Sequence, residues 1–290
     1  MYTPEEYRKI LQMSTKKRVL VEGRDDHYLL SVLFEELLGD DWNEIYDIEI
    51  ERSDTLLIGA PEIRQRIELA INLVSKTNLR DKLVGFTDRE FREFDWKDGI
   101  LIDKIKKHFV GNRILWTRGH SAENYFLNET ILKTPFRDVS GAGEIFQKSF
   151  AAFKKNFDSY LRTACKLSLT AKIHGYLIRF RSSIEWDMIE ENGNLDIEKW
   201  KNQLNKRGFP LPEIQKIITT YLEIDNVVNS ANIETVRWFC DGHLSFLLLW
   251  RAFARCAYET TEIVHDKRAM VQRELKYSDE TRFNSCASAW

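Results

Sequence analysis

The sequence predicts an α/β protein, with a parallel sheet flanked by helices in residues 1–135 and an all-helical domain in residues 136–290. Three observations predict it. Short apolar runs at residues 19–21, 83–86 and 114–116 each open onto polar, ionisable residues. Between them, apolar residues recur three and four apart, the period of a helix. Beyond residue 135 the helical period continues, and no convincing strand interrupts it.

The elements follow in order. Residues 4–13 read as a short amphipathic helix, with Pro4 in its first turn and Tyr7, Ile10 and Leu11 on one face. Residues 16–26, KKRVLVEGRDD, come next: Val19, Leu20 and Val21 form a buried strand, and Glu22-Gly23 is the turn at its exit. Tyr28, Leu29, Val32, Leu33, Leu37 and Leu38 then give a helix over residues 25–38. Residues 45–50, IYDIEI, alternate as a second strand, solvated on one side. Pro61 opens a helix carrying Ile63, Ile67, Ala70, Ile71 and Val74. A third strand, residues 83–87, ends in Asp88-Arg89-Glu90; a fourth, residues 114–116, ends in Thr117-Arg118-Gly119-His120-Ser121, with Ser121 capping a helix over 122–132. Right-handed crossovers put all four strand exits on one sheet edge.

In the second half, Phe146, Phe150, Phe153, Phe157, Tyr160, Leu161 and Ala164 lie on the stripe of one long helix, which reads as core or partner surface rather than a base-stacking face. Asp196 caps a helix reaching Leu204, and Pro212 opens another with Ile214, Ile217, Ile218, Tyr221 and Leu222. Residues 244–258 are apolar nearly all round, which predicts a helix at the centre of this half, and residues 278–290 read as a tail or docking segment.

Composition narrows the function classes. With 43 basic against 45 acidic side chains the net charge is -2, so a site for a polyanion has to be a local patch. A hydrophobic content of 43% with 30% charged residues fits neither a disordered nor a membrane protein. The beginning, MYTPEEYRKI, lacks the apolar core of a signal peptide, and the most apolar run, residues 244–250, falls far short of the roughly 20 residues that span a bilayer. A cytoplasmic protein without membrane attachment is expected. Cys165, Cys240, Cys256 and Cys286 form no C-x-x-C pair, which argues against a zinc site and a disulfide framework.

Glu22, Asp26, Asp88 and Glu90 stand at strand exits or one turn beyond. In an extended segment, Asp88 and Glu90 would share a face. Clustered carboxylates without cysteine or histidine spacing favour magnesium or manganese, which take oxygen ligands and keep waters for substrate phosphates to displace. Two such ions about 4 Å apart would serve in-line phosphodiester displacement. The plainer reading is that acids are common in solvated loops and that Asp26 is a helix cap.

Glu22-Gly23-x-x-Asp26 after one strand and Asp88-x-Glu90 after another resemble a TOPRIM domain, the metal-binding fold of topoisomerases, primases and OLD-family nucleases. Gly119-His120-Ser121-x-Glu123-Asn124-Tyr125 is similar to a narrower bacterial family of TOPRIM-like proteins encoded beside ABC-type ATPases, the effectors of PARIS anti-phage systems. The resemblance covers residues 16–130. It implies a TOPRIM-like Rossmannoid sheet and a metal-dependent nuclease held inactive by its ATPase partner, then released as a homodimer that cuts host transfer RNA. It implies Asp88 and Glu90 as metal ligands and Glu22 as a metal ligand or general base, with Asp26 in support. Relatives have aspartate where Glu90 stands, which leaves one metal or two open.

Arg118, His120 and Glu123 are the expected substrate-binding residues, since all three follow the fourth strand. His120 could contact a phosphate, shuttle a proton or cap its neighbours; Glu123 suits a helix dipole without any function, while the resemblance implies a metal or supporting role for it. Lys104, Lys106, Lys107 and Arg113 could line a backbone groove or a solvated face. Three functions compete: an endoribonuclease effector, an OLD-type DNA nuclease, and a catalytically silent adaptor of the ATPase. No G-x-x-x-x-G-K-[ST] loop is present, so any ATPase is a separate protein.

Overall fold

The computed structural model describes residues 2–56, 62–96, 99–140, 143–260 and 286. In chain order the first elements are α1 (Pro4–Met13), β1 (Lys17–Val21), α2 (Arg24–Leu38), α3 (Trp42–Ile45), β2 (Ile48–Arg52), α4 (Ile63–Val74) and β3 (Leu83–Thr87). The short strands β4 (Phe94–Asp95), β5 (Ile102–Asp103), β6 (Phe109–Gly111) and β7 (Ile114–Trp116) follow. Helices α5 (Glu129–Ser140), α6 (Glu144–Lys155), α7 (Phe157–His174), α8 (Leu177–Arg181), α9 (Ile197–Lys206), α10 (Leu211–Glu223), α11 (Asp225–Ser230), α12 (Ile233–Phe239) and α13 (Gly242–Thr260) complete the described chain.

Two compact units result: Met1–Arg89 with Ile105–Arg118, and Glu90–Lys104 with Gly119–Trp290. This division by packing is drawn at different residues from the boundary at 135 read from the sequence.

The first unit is a sheet in the order β2-β1-β3-β7-β6. The four expected strands pair in parallel, and β6 adds an antiparallel edge. Apolar residues point both ways along the strands, so helices are needed on both faces. Leu20 and Leu83 pack with Tyr7, Leu11, Ile67, Ile71 and Val74 of α1 and α4. Val21 and Phe86 pack on the opposite face with Leu30 and Trp42, joined by Phe34 and Leu38 of α2. The second strand begins at Ile48 rather than residue 45, because residues 42–45 curl into α3 and bury Trp42 against Phe34, ring centroids 5.0 Å apart. Pro61 lies outside the described residues; the helix expected after it is α4.

Gly85 sets how closely α4 approaches the sheet, since a Cβ there would stand 2.5 Å from Ile67 Cγ2. Gly85→Ala is expected to cost about 1–3 kcal/mol of unfolding free energy, read as a lower urea midpoint.

The edge strand β6 was not legible as a strand. It turns back into β7 through Asn112 and Arg113, with φ of 49° and 62°, the left-handed pair of a two-residue hairpin. Arginine is a poor choice for that backbone. Its side chain is anchored, Nε donating to Leu83 O at 2.8 Å and Nη1 to Asp81 at 3.1 Å.

In the second unit β4 and β5 form a two-residue antiparallel ladder. The helix expected to run from Phe146 to Ala164 is two, α6 and α7, broken at Asn156 (φ -110°, ψ 12°), whose backbone leaves the helical region. Of the two expectations for its aromatic stripe, core or partner surface, core holds: Phe146, Phe153, Phe157 and Tyr160 are buried. Phe153 meets Phe136 of α5 edge-on at 5.2 Å, and Phe136 in turn stacks on Phe253 of α13 at 4.2 Å. Leu244, Leu248, Leu249, Trp250 and Phe253 of α13 are buried. Asp196 caps α9 by accepting from Lys199 N–H at 3.0 Å. The helix expected over 122–132 is a 3-10 turn, Ala122–Phe126, separated from α5 by Leu127 and Asn128. Among the described residues no helix is long and apolar enough to cross a membrane. The expected tail at 278–290 lies outside the described residues except for the buried Cys286.

Candidate functional site

The strand order fixes where chemistry can sit. From β1 the chain moves to β2 on one side, then crosses to β3 on the other, so the order reverses between β1 and β3. Such a reversal opens a crevice at the carboxyl ends of those two strands, where open α/β sheets bind ligands. Glu22 directly follows β1, and Asp88 directly follows β3.

The two residues meet. Asp88 N–H donates to Glu22 Oε1 at 3.1 Å, so the glutamate reaches across from one strand exit to the next, and both side chains are half-buried. Asp26, in the first turn of α2, accepts from Gly23 N–H through Oδ2 at 3.1 Å. That bond holds the turn through which β1 enters α2, the capping role read beside the catalytic one. The neighbouring exit of β7 is stitched to β3 by Thr117, whose N–H donates to Thr87 O at 3.0 Å and whose Oγ1 accepts from Arg89 N–H at 2.9 Å. The Arg89 guanidinium is buried and donates to Arg118 O at 3.0 Å; Arg118 itself is half-buried at the same edge. The buried Arg89 carried no signal in the sequence beyond lying between two acids.

Glu90, His120 and Glu123 belong to the second unit. Glu90 is exposed, with φ of 52°, and donates its N–H to His120 O at 2.6 Å. The segment is therefore not extended at Glu90, and the alternation that would set Asp88 and Glu90 on one face does not hold. His120 is enclosed: its side chain is 8% exposed, its ring meets Phe91 edge-on at 4.4 Å, and Nε2 lies 3.8 Å from Asp241 Oδ2. Burial pushes its pKa down against the pull of Asp241. Glu123 is buried too. It accepts from Ser121 Oγ at 2.5 Å and from His243 Nδ1 at 2.7 Å. In this structure His120 and Glu123 are parts of an internal polar network rather than groups presented to a substrate.

The partners of that network come from α13 and α8. Asp241 accepts from Leu244 N–H at 2.7 Å, capping α13, and from Arg181 Nη2 at 3.1 Å. Gly242 is required there, because a Cβ would stand 2.1 Å from Ser121 Oγ and 2.9 Å from Glu123 Oε2. His243 is the cation that makes a buried Glu123 tolerable.

The chain matches no family model and no curated protein. Its functional reading therefore rests on its own residues. Among those described, no three His, Cys, Asp or Glu side chains are grouped as a cation site. The β1 and β3 exits offer instead a pair of carboxylates. Magnesium is commonly held by one or two carboxylates, its remaining positions filled by water and substrate phosphates. An oxygen-only pair at a switch-point crevice fits that mode and does not fit zinc.

Proposed function

We propose that the protein is a magnesium- or manganese-dependent phosphodiesterase acting on nucleic acid, and that Glu22 and Asp88 hold the metal. The observation that carries this is the Asp88 N–H to Glu22 Oε1 bond, which ties two acidic residues together where the strand order reverses. When bound, the metal supplies charge neutralisation at the phosphate and a more acidic attacking water. Glu22 and Asp88 would hold the metal through carboxylate oxygens, and Glu22 would also take up the proton that the attacking water gives up. Asp26 keeps the turn below them in place through Gly23. The proposal rests on Glu22 and Asp88 alone and does not need Glu90.

The finer reading follows the resemblance of the Glu22-Gly23-x-x-Asp26, Asp88-x-Glu90 and His120-to-Tyr125 motifs to TOPRIM-like effectors of anti-phage systems. We extend the proposal to a toxic effector restrained by an ABC-type ATPase, released as a homodimer and cutting transfer RNA. RNA integrity in cells carrying the protein and its neighbouring ATPase, with and without phage challenge, tests this against Glu22→Ala. Discrete transfer-RNA fragments with the wild type alone are expected. Cut DNA with whole RNA would replace the substrate by DNA. Defence that survives Glu22→Ala with all nucleic acid intact would make the protein an adaptor and overturn the enzymatic reading.

A further inference from the structure

The main sheet extends past the helix that covers it. Ile114 packs with the α4 cluster, but the cross-strand neighbours beyond it, Trp116 of β7 and Phe109 of β6, form the floor of a groove walled by Glu68, Ile71 and Asn72 of α4. Asn112, at the tip of the hairpin, forms its rim. The groove has a volume of about 460 Å³, within the roughly 300–1,000 Å³ of small-ligand sites.

Three features give the groove a chemistry. Its floor is aromatic: the rings of Phe109 and Trp116 lie 4.4 Å apart, tilted by 35°, and Phe109 is 38% exposed. Gly111 makes this possible, since a Cβ there would stand 2.6 Å from the tip of the Phe109 ring. Its rim carries the amides of Asn72 and Asn112, donor and acceptor groups suited to the edge of a heterocycle. Its approach is basic: Lys106, Lys107 and His108 are exposed and lead directly into Phe109. An aromatic floor, amide rim and cationic approach are the parts with which sheets bind unpaired bases, because stacking needs a base that is not already stacked and the cations follow the phosphates.

We propose that the groove between α4 and the β6–β7 hairpin binds an unpaired nucleobase of a single-stranded nucleic acid. A second copy of the chain fits less well. Antiparallel pairing of two β6 strands centred on Val110 would bring residues 106–108 of each copy alongside Arg113 of the other, like charge against like charge. The inference deepens the nucleic-acid reading of the protein and rests on it for the polymer, but the binding it describes needs no cleavage.

The test uses the full chain carrying Glu22→Gln, so that the probe is not consumed, and a labelled single strand of about ten nucleotides, read by anisotropy. RNA and DNA strands are run in parallel, each against the same strand with abasic positions. Phe109→Ala is expected to weaken binding of the intact strand about ten- to a hundredfold. The abasic strand should bind correspondingly weakly, with no further loss from Phe109→Ala. Lys107→Ala should lower the salt dependence by about one charge and leave the preference for intact bases unchanged. The ratio of the RNA and DNA affinities then tells the two polymers apart. Equal affinity for intact and abasic strands would overturn the proposal. So would binding indifferent to Phe109→Ala while that variant changes the mass of the free protein, which would make the face a protein interface. Absence of cleavage by the wild-type chain, with base-dependent binding intact in the Glu22→Gln chain, would count against the nuclease reading and leave the groove standing.

Discussion

Replacing Glu22 with glutamine is expected to lower magnesium-dependent cleavage by the purified protein about 10²–10⁴-fold, the range associated with losing a positioned general base. Glutamine keeps the oxygen that accepts from Asp88 N–H at 3.1 Å but loses the charge that a cation and a proton require. The fold should hardly notice: a half-buried hydrogen bond that is weakened rather than deleted costs roughly 1 kcal/mol or less. Asp88→Asn should behave alike, and the double variant should lose no more than the worse single one, because both act through one site. Single-turnover cleavage with urea unfolding in parallel checks this. Full activity in either variant would remove the pair from the chemistry.

His243→Ala is expected to destabilise the protein by about 2–4 kcal/mol near pH 6, since it strips the buried Glu123 carboxylate of its cation. The imidazole is 44% exposed, so water takes over part of its place and the cost falls below that of a fully enclosed pair. The effect should depend on pH in a defined way. Glu123 holds the His243 pKa up to about 9 from an ordinary 6.5; burial pushes the Glu123 carboxyl up, but His243 and Ser121 outweigh it and hold Glu123 down to about 2 from 4.5. Arg181 opposes the charge on His243, and Asp241 favours it. A raised histidine stabilises fully below 6.5 and loses its contribution as pH climbs through 9; a lowered carboxylate stabilises fully above 4.5 and loses its contribution as pH falls through 2. The gap in unfolding free energy between wild type and His243→Ala should therefore be widest between about pH 4.5 and 6.5 and close toward pH 9. Urea midpoints across that range test it, and a gap that widens toward pH 9 would contradict the pairing.

The four parallel strands and most helices were legible because one physical signal dominated each. Val19, Leu20 and Val21 are buried or partly buried, which gives a short unbroken apolar run, and α13 is apolar all round because it is enclosed. What escaped was whatever depended on a contact made at a distance. The β6–β7 turn pairs Asn112, which suits the left-handed region, with Arg113, which does not and is held there by Leu83 and Asp81, so the local turn signal is only half present. The alternation of residues 45–50 suggested a strand from Ile45, but that residue ends α3, which curls to bury Trp42, and the strand begins at Ile48. The break at Asn156 interrupts a stripe whose spacing alone cannot reveal it.

The candidate site divided in the same manner. Glu22 and Asp88 were findable from strand exits because sheet topology brings exits together. His120 and Glu123 were grouped with them by their place after β7. Their burial follows from Phe91, Asp241 and His243, the last two lying more than a hundred residues further on. The Ser121 cap was correctly placed, but Asn124 closes it reciprocally, its Oδ1 accepting from Ser121 N–H at 2.7 Å, and the turn stops short of a helix.

Glu22 and Asp88 are proposed to hold a divalent cation at the β1–β3 crevice. Titration of the full chain with manganese, followed by electron paramagnetic resonance in the presence of a single-stranded oligonucleotide, measures this binding without relying on turnover. Saturable manganese binding by the wild type is expected, with a spectrum broadened by the protein, and its loss in both Glu22→Gln and Asp88→Asn. Binding that persists undiminished in both variants, or a wild type that binds none with the strand present, would contradict the proposal.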